Sequence, residues 1–179
     1  MRRFLKLLSV VALTLSLSKA FAAETTVING KGISHPIGDG WHLARPTGAM
    51  FSVELPCHFN DVSTTGAEPP TPVAASRVVA CRPSELSQFS AAQFEYRGDA
   101  EARKQFVKVS QTTGARKVEG YGIYPAFEMP TKLVQLDGLA RCVLVGSRVI
   151  ILTAEWRPPE ETNVRGLVAR FFGSLKIGD

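Results

Sequence analysis

The sequence predicts a single α+β domain in which an antiparallel β-sheet is packed with helices. Segments that alternate apolar and polar residues occur in runs, and two helix-like segments are set between and after them rather than in strict alternation. Two turn-forming pairs, Asp137-Gly138 and Gly146-Ser147, separate three apolar segments near the carboxyl end. Such pairs are typical of tight hairpin turns, so these segments are expected to form a three-strand meander.

The chain opens with features typical of a cleavable signal peptide. Basic residues precede an apolar run from Leu7 to Leu17, which is shorter than the roughly 20 residues of a membrane span. Ala20 and Ala22 place small residues where a signal peptidase reads them. An uncleaved membrane anchor is the alternative. We expect cleavage after Ala22, no membrane span after cleavage, and a periplasmic or secreted protein.

Removal of residues 1–22 changes the charge of the protein. The whole chain has 21 Lys and Arg against 16 Asp and Glu, a net charge of +5. The signal segment holds four of the basic residues, so 17 basic and 16 acidic residues remain, a net charge of +1. A nearly neutral domain has no global field that attracts polyanions, and nucleic acid is not expected as a partner.

About 157 residues remain after cleavage, which suits one domain with one core. The polar, glycine-bearing residues 23–40 predict a flexible leader, and residues 41–179 the single domain. Alternating patterns predict its first strands at 51–55, 76–81 and 90–97. A helix is expected to follow, with Asp99 as its N-cap and Gly114 at its end.

The second half of the domain is expected to be rich in strands and to close with a helix. Strand patterns cover residues 117–128, 133–136, 139–145 and 148–156. The Gly146-Ser147 turn fixes a register that pairs Cys142 with Ile151. A final helix is predicted over residues 161–172, where apolar residues recur at helical spacing.

Three cysteines, Cys57, Cys81 and Cys142, suggest one disulfide and one free thiol in an oxidising compartment. Cys57 and Cys81 flank a loop rich in proline, threonine and alanine, and a bond between them would close that loop. Cys142 lies in an apolar strand, where it acts as a small hydrophobic residue. Two free thiols at Cys57 and Cys81 are the alternative.

Two segments of the sequence resemble those of a known group of proteins. Trp41 precedes Phe51-Ser-Val-Glu-Leu-Pro56, and a late strand pair leads to Ala169-Arg-Phe-Phe-Gly-Ser-Leu175. These resemble the opening and closing patterns of small exported bacterial domains of unknown function, which are similar to the PsbP-like α/β sandwich. The resemblance implies an antiparallel sheet covered by helices and an accessory or binding role. It assigns no catalytic residues, and the metal-binding and photosystem roles of the plant namesake have no matching residues here.

Residues for catalysis or metal binding form no recognisable motif. His35, His42 and His58 lack the close spacing of a zinc site, and Cys57 has a more suitable partner in Cys81. No Gly-x-Ser-x-Gly motif or glycine-rich phosphate loop is present. No cofactor and no metal are therefore expected.

The segment Tyr121-Gly-Ile-Tyr-Pro-Ala-Phe127 is the best candidate for a recognition surface, because an exposed cluster of Tyr121, Tyr124 and Phe127 would bind a partner. The alternative is a strand that places Tyr121, Ile123 and Pro125 on one face, with Tyr124 and Phe127 partly packed in the core. The leading hypothesis is a non-enzymatic envelope module that binds an envelope protein or a small ligand. A small envelope hydrolase or metal-dependent enzyme that uses His42 or His58 is the alternative, and a purely structural factor is a third.

Overall fold

The computed structural model describes residues 26–29, 33–65, 72–133, 136–158 and 161–178. The predicted signal peptide, residues 1–22, lies outside the described residues. The described residues form twelve strands and two helices in the order β1 (Thr26–Asn29), β2 (Ile33–Gly38), β3 (Trp41–Arg45), β4 (Phe51–Leu55), β5 (Asn60–Thr65), β6 (Val73–Ser84), β7 (Ser87–Tyr96), α1 (Asp99–Ser110), β8 (Arg116–Val118), β9 (Ala126–Leu133), β10 (Leu136–Val145), β11 (Arg148–Trp156), α2 (Glu161–Gly173) and β12 (Lys176–Ile177). The predicted α+β class is confirmed.

The strands form two antiparallel sheets. The large sheet has the order β1-β5-β6-β7-β11-β10-β9-β8, and the small sheet the order β12-β4-β3-β2. The main core contains residues of both sheets and of α2, whereas a second apolar cluster joins α1 to β10 and β11. The large sheet therefore lies in the middle, with α2 and the small sheet on one face and α1 on the other.

The alternation along β11 explains how one strand serves both layers. Ile150 and Leu152 are fully buried in the main core, while Val149 packs with Ala102 of α1 on the other face. On α2, the residues Val164, Val168 and Phe171 recur at helical spacing and are buried. The final helix thus has the extent and the apolar stripe that the sequence predicts.

The hairpin at Gly146-Ser147 is confirmed with its register. Cys142 pairs with Ile151 across β10 and β11, and Gly146 has a φ of 55°. This left-handed φ suits glycine at the first central position of a hairpin turn. Cys142 is buried and free, and burial raises the pKa of its thiol to about 12.

The predicted turn at Asp137-Gly138 is wrong. β9 ends at Leu133 and β10 begins at Leu136, and these two residues are paired. Asp137 and Gly138 lie inside β10, between β9 and β11. Gly138 serves close packing rather than a turn, because a Cβ there would lie 2.5 Å from the Ala154 carbonyl oxygen.

Three other expectations also differ from the structure. Asp99 is the first residue of α1, where the cap position is held by Gly98 without a side-chain cap; its carboxylate still suits the positive end of the helix dipole. The leader expected at 23–40 contributes the paired strands β1 and β2. The strand expected at 117–128 is divided into β8 and β9 by residues 119–125.

Cys57 and Cys81 are joined in a disulfide, with their Cα atoms 5.9 Å apart. Cys57 follows β4 of the small sheet and Cys81 lies in β6 of the large sheet. The bond therefore ties the two sheets together as well as closing the loop between the cysteines.

Candidate functional site

Residues 119–125, here called the Tyr121 loop, connect β8 to β9 and carry most of the aromatic segment. The backbone N–H of Tyr124 donates to the carbonyl of Tyr121 at 3.2 Å. Gly122 has a φ of 63°, and Ile123 does not have a positive φ. This is the pattern of a II′ turn, with glycine first and Ile123 second of the two central residues. The turn holds Ile123 at the tip of the loop, where it is 90% exposed.

The base of the loop is fixed by the hydroxyl of Tyr121. This hydroxyl donates to the backbone carbonyl of Phe172 at 3.1 Å and accepts from Nη1 of Arg141 at 3.0 Å. The Arg141 guanidinium also lies over the Phe172 ring, 4.5 Å from its centroid. Tyr121 therefore ties the loop to the end of α2 and to β10 at once.

A row of three charged residues lies under this anchor. Arg116, Glu128 and Arg141 are direct neighbours across β8, β9 and β10. Nη2 of Arg116 lies 2.6 Å from one carboxylate oxygen of Glu128, and Nη2 of Arg141 lies 2.7 Å from the other. Burial alone would raise the pKa of Glu128, but the hydrogen bonds and charges of the two arginines outweigh burial and lower that pKa. The row is an ion-paired group that is joined to the loop by the hydrogen bond between Arg141 and Tyr121.

The structure places the three candidate surface residues, Tyr121, Tyr124 and Phe127, in two different environments. Tyr121 and Tyr124 lie on either side of the turn and are half-buried against the main core. Phe127 lies in β9 and is buried on the α1 side, with its ring 4.9 Å from that of Phe106. The two tyrosines are thus brought together with Ile123, and Phe127 is not. The alternative is wrong in its strand through Tyr121 and Ile123, because this segment is a turn. Its other part is confirmed, because Tyr124 packs against the core and Phe127 is buried.

Ile123 is the exposed residue that the aromatic pattern alone does not single out. The stretch Tyr121-Gly122-Ile123-Tyr124 offers glycine at the first central position of a two-residue turn, as Gly146-Ser147 does. Glycine at the first central position therefore predicts a turn at Gly122-Ile123 as it does at Gly146-Ser147, and this turn places Ile123 at its tip.

A second row, of three polar residues and a glycine, crosses the other face of the large sheet. Gln88, Glu155, Gly138 and Thr131 are neighbours on β7, β11, β10 and β9. Nε2 of Gln88 donates to a carboxyl oxygen of Glu155, which is 1% exposed. Burial raises the pKa of Glu155 and outweighs the effect of Gln88, which lowers it. The buried hydroxyl of Thr131 has no hydrogen-bond partner among the described residues.

The histidines of the enzymatic alternative are only partly brought together. The rings of His42 and His58 have centroids 5.6 Å apart in an edge-on arrangement, and Nδ1 of His42 lies 3.2 Å from Oγ of Ser34. His35 lies on β2 opposite Leu43. Within the described ranges, no three His, Cys, Asp or Glu residues form a group suited to a metal ion.

The helices α1 and α2 have 12 and 13 residues. No helix in the described part of the chain has the length and apolar character needed to cross a bilayer.

Comparison with known proteins gives similarities to solved structures. No protein-family model and no curated protein matches the chain. A crystal structure from Bacteroides thetaiotaomicron is similar with a TM-score of 0.44 and 13% identity, over 85% of this chain and 50% of that one. The chain thus spans half the length of that protein.

Two further solved structures are similar over most of both chains. The solution structure of cyanobacterial PsbP (CyanoP) from Synechocystis has a TM-score of 0.40 and 12% identity, over 89% of this chain and 96% of that one. LpqN of Mycobacterium tuberculosis, described as involved in cell envelope biogenesis, has a TM-score of 0.37 and 14% identity, over 90% and 88%. PsbP, the group that the sequence resembles, is therefore among the similar structures.

Proposed function

We propose that this protein is an exported, non-enzymatic envelope module that binds a protein partner through the Tyr121 loop. The observation that carries the proposal is the 90% exposure of Ile123 at the tip of a fixed turn. Scattered exposed apolar residues are normal on protein surfaces, but the other large ones among the described residues are less exposed, with Ile33 at 50% and Val107 at 45%.

Preorganisation favours a binding role for this tip. The turn is closed by a backbone hydrogen bond, and its base is held by Tyr121 through Phe172 and Arg141. A loop that is already ordered loses little conformational entropy when it binds. An apolar side chain presented in this way can enter a pocket on a partner, with Tyr121 and Tyr124 at its flanks.

The proposed location is the periplasm or the extracellular space. The basic and apolar start of the chain and the small residues Ala20 and Ala22 support export, with cleavage after Ala22. The disulfide between Cys57 and Cys81 supports an oxidising compartment.

The test is crosslinking of the tagged, exported protein in cells, followed by purification and mass spectrometry. Four samples are compared: the wild type, Ile123→Ser, Ile33→Ser as a matched exposed isoleucine on β2, and a form without residues 1–22. We expect one envelope protein to be enriched by the wild type and by Ile33→Ser. Loss of a central apolar contact should reduce its recovery with Ile123→Ser by about tenfold.

A direct titration of the purified partner then checks the same ranking of variants. Equal enrichment by Ile123→Ser and the wild type would contradict the proposed binding site. No enrichment above the unexported form would contradict the binding-module proposal itself. Tyr121→Ala is a poor first variant, because Tyr121 also holds the loop in place.

A further inference from the structure

A cavity of about 330 Å³ lies between α1 and the strands β8 and β9, on the face of the large sheet opposite α2. The residues that line it include Phe106, Ser110, Ala115, Lys117, Pro125 and Phe127. Ligand pockets in proteins have volumes of roughly 300 to 1,000 Å³. This groove is open to solvent, and its volume lies at the lower end of that range.

Most of the lining of the cavity is apolar. Phe106 of α1 and Phe127 of β9 meet edge to face with their centroids 4.9 Å apart. Ala115, from the turn that follows α1, and Pro125 of the Tyr121 loop add further apolar atoms. These groups can contact an alkyl chain or an aromatic ring but offer little to a polar ligand.

One positive charge at this site is not engaged in an ion pair. Lys117 is paired with Phe127 in the sheet register, so both side chains belong to the α1 face. Lys117 is exposed, and none of the ion pairs among the described residues includes it. The neighbouring Arg116 is engaged by Glu128. The ammonium group of Lys117 is therefore available to an anion.

We propose that this cavity binds a small amphipathic carboxylate, such as a medium-chain fatty acid. The apolar body would lie against Phe106 and Phe127, and the carboxylate would accept hydrogen bonds from Nζ of Lys117. This inference does not depend on Ile123 or on a protein partner.

The test is calorimetric titration of the purified protein with sodium decanoate, kept below its micelle concentration. Decyltrimethylammonium carries the same chain with the opposite charge and serves as the ligand control. Lys117→Gln is compared with Lys176→Gln, a change of an exposed lysine on the small sheet. We expect saturable binding at one site, about threefold weaker or more in Lys117→Gln and unchanged in Lys176→Gln, as for loss of a partly exposed ion pair. Ser110→Leu should abolish binding by filling the cavity.

A second measurement keeps the test valid if Ser110→Leu perturbs α1. In the wild-type protein, nuclear Overhauser contacts should connect the decanoate methylenes to the ring protons of Phe106 and Phe127. Three results would each overturn the proposal: no saturable binding of decanoate, equally tight binding of decyltrimethylammonium, or Overhauser contacts to other residues only.

Discussion

Gly138 lies at a crossing of the large sheet where three neighbours leave no room for a side chain. A Cβ there would lie 2.5 Å from the carbonyl oxygen of Ala154, 2.5 Å from Oγ1 of Thr131 and 2.9 Å from Cγ of Glu155. Real Cβ atoms do not approach backbone oxygens so closely, so the strands would have to move apart. The glycine is therefore required for close packing of the strands. Next to Asp137 it has the composition of a turn, but its position in the structure is inside a strand.

Gly138→Ala is therefore expected to destabilise the protein by about 2 kcal/mol, in the range of overpacked cores. Gly166→Ala is the matched control, because Gly166 lies on the exposed side of α2, where an added Cβ would meet nothing within 4 Å. That change should stabilise the helix by roughly 0.5 to 1 kcal/mol. Urea unfolding of both variants measures the two free energies, and equal stabilities would contradict this account of the sheet.

Two buried carboxyl groups should give opposite pH dependences of stability. The pKa of Glu128 is lowered in the folded protein, so its contribution is present above the ordinary value of 4.5 and is lost as the pH falls below it. Glu128→Gln should lower the free energy of unfolding by about 2 kcal/mol at pH 7. This is less than the cost of breaking a fully buried ion pair, because Arg116 is itself exposed. This cost should shrink as the pH is lowered below 4.5.

Glu155 has a raised pKa, so its contribution is present below the ordinary value of 4.5 and is lost as the pH rises through the higher folded-state pKa. Glu155→Gln keeps the shape and the acceptor for Gln88 but removes the titration. Relative to the wild type, the variant should gain stability as the pH rises above 4.5. Denaturant unfolding between about pH 3 and 8 measures both variants, and slopes of the same sign would contradict the assignment.

At the scale of elements, the disulfide between Cys57 and Cys81 connects β6 to the segment after β4. Its cysteines are separated by 24 positions in the chain, so the chain-entropy relation gives a stabilisation of about 3.5 kcal/mol. Cys57→Ser combined with Cys81→Ser should lower the free energy of unfolding by about that amount. Thermal and urea unfolding, with the wild type under reducing conditions as a second sample, test this. A change of less than about 1 kcal/mol would contradict a constraint of this size.

Elements fixed by local chemistry could be predicted from the sequence, and those fixed by distant partners could not. β4, α2 and the Gly146-Ser147 hairpin follow from alternation, helical spacing and turn geometry within a few residues. Asp137-Gly138 has the composition of a turn, but its position is decided by β9 and β11. The residues at 23–40 have no strong strand pattern, and β2 among them forms by pairing with β3.

The candidate site shows the same division. The aromatic segment at 121–127 is recognisable from composition, yet its division between two faces of the sheet depends on how β8 and β9 pack under α1. The support for the loop comes from Arg141 and Phe172, which lie far along the chain from Tyr121. No sequence pattern connects such distant residues. Ile123, in contrast, is placed by a local glycine turn and was predictable.

For the molecule as a whole, the assembly of two sheets could not be predicted from the sequence. β12, at the end of the chain, pairs with β4 of the small sheet, and Arg170 of α2 bonds to Glu54 of β4 at 2.7 Å. These contacts join positions more than a hundred residues apart. They close the main core on one side of the large sheet and leave the Tyr121 loop beside the end of α2.

Partner binding through the Tyr121 loop is tested most directly by site-specific photocrosslinking in cells that export the protein. A photoreactive residue is placed at Ile123, and in a matched variant at Val107, an exposed apolar residue on α1. We expect a discrete crosslinked species from position 123 only, containing one envelope protein with its crosslinked peptide identified by mass spectrometry. Crosslinking of that protein from Val107 with equal yield, or no discrete product from Ile123, would contradict partner binding through the Tyr121 loop.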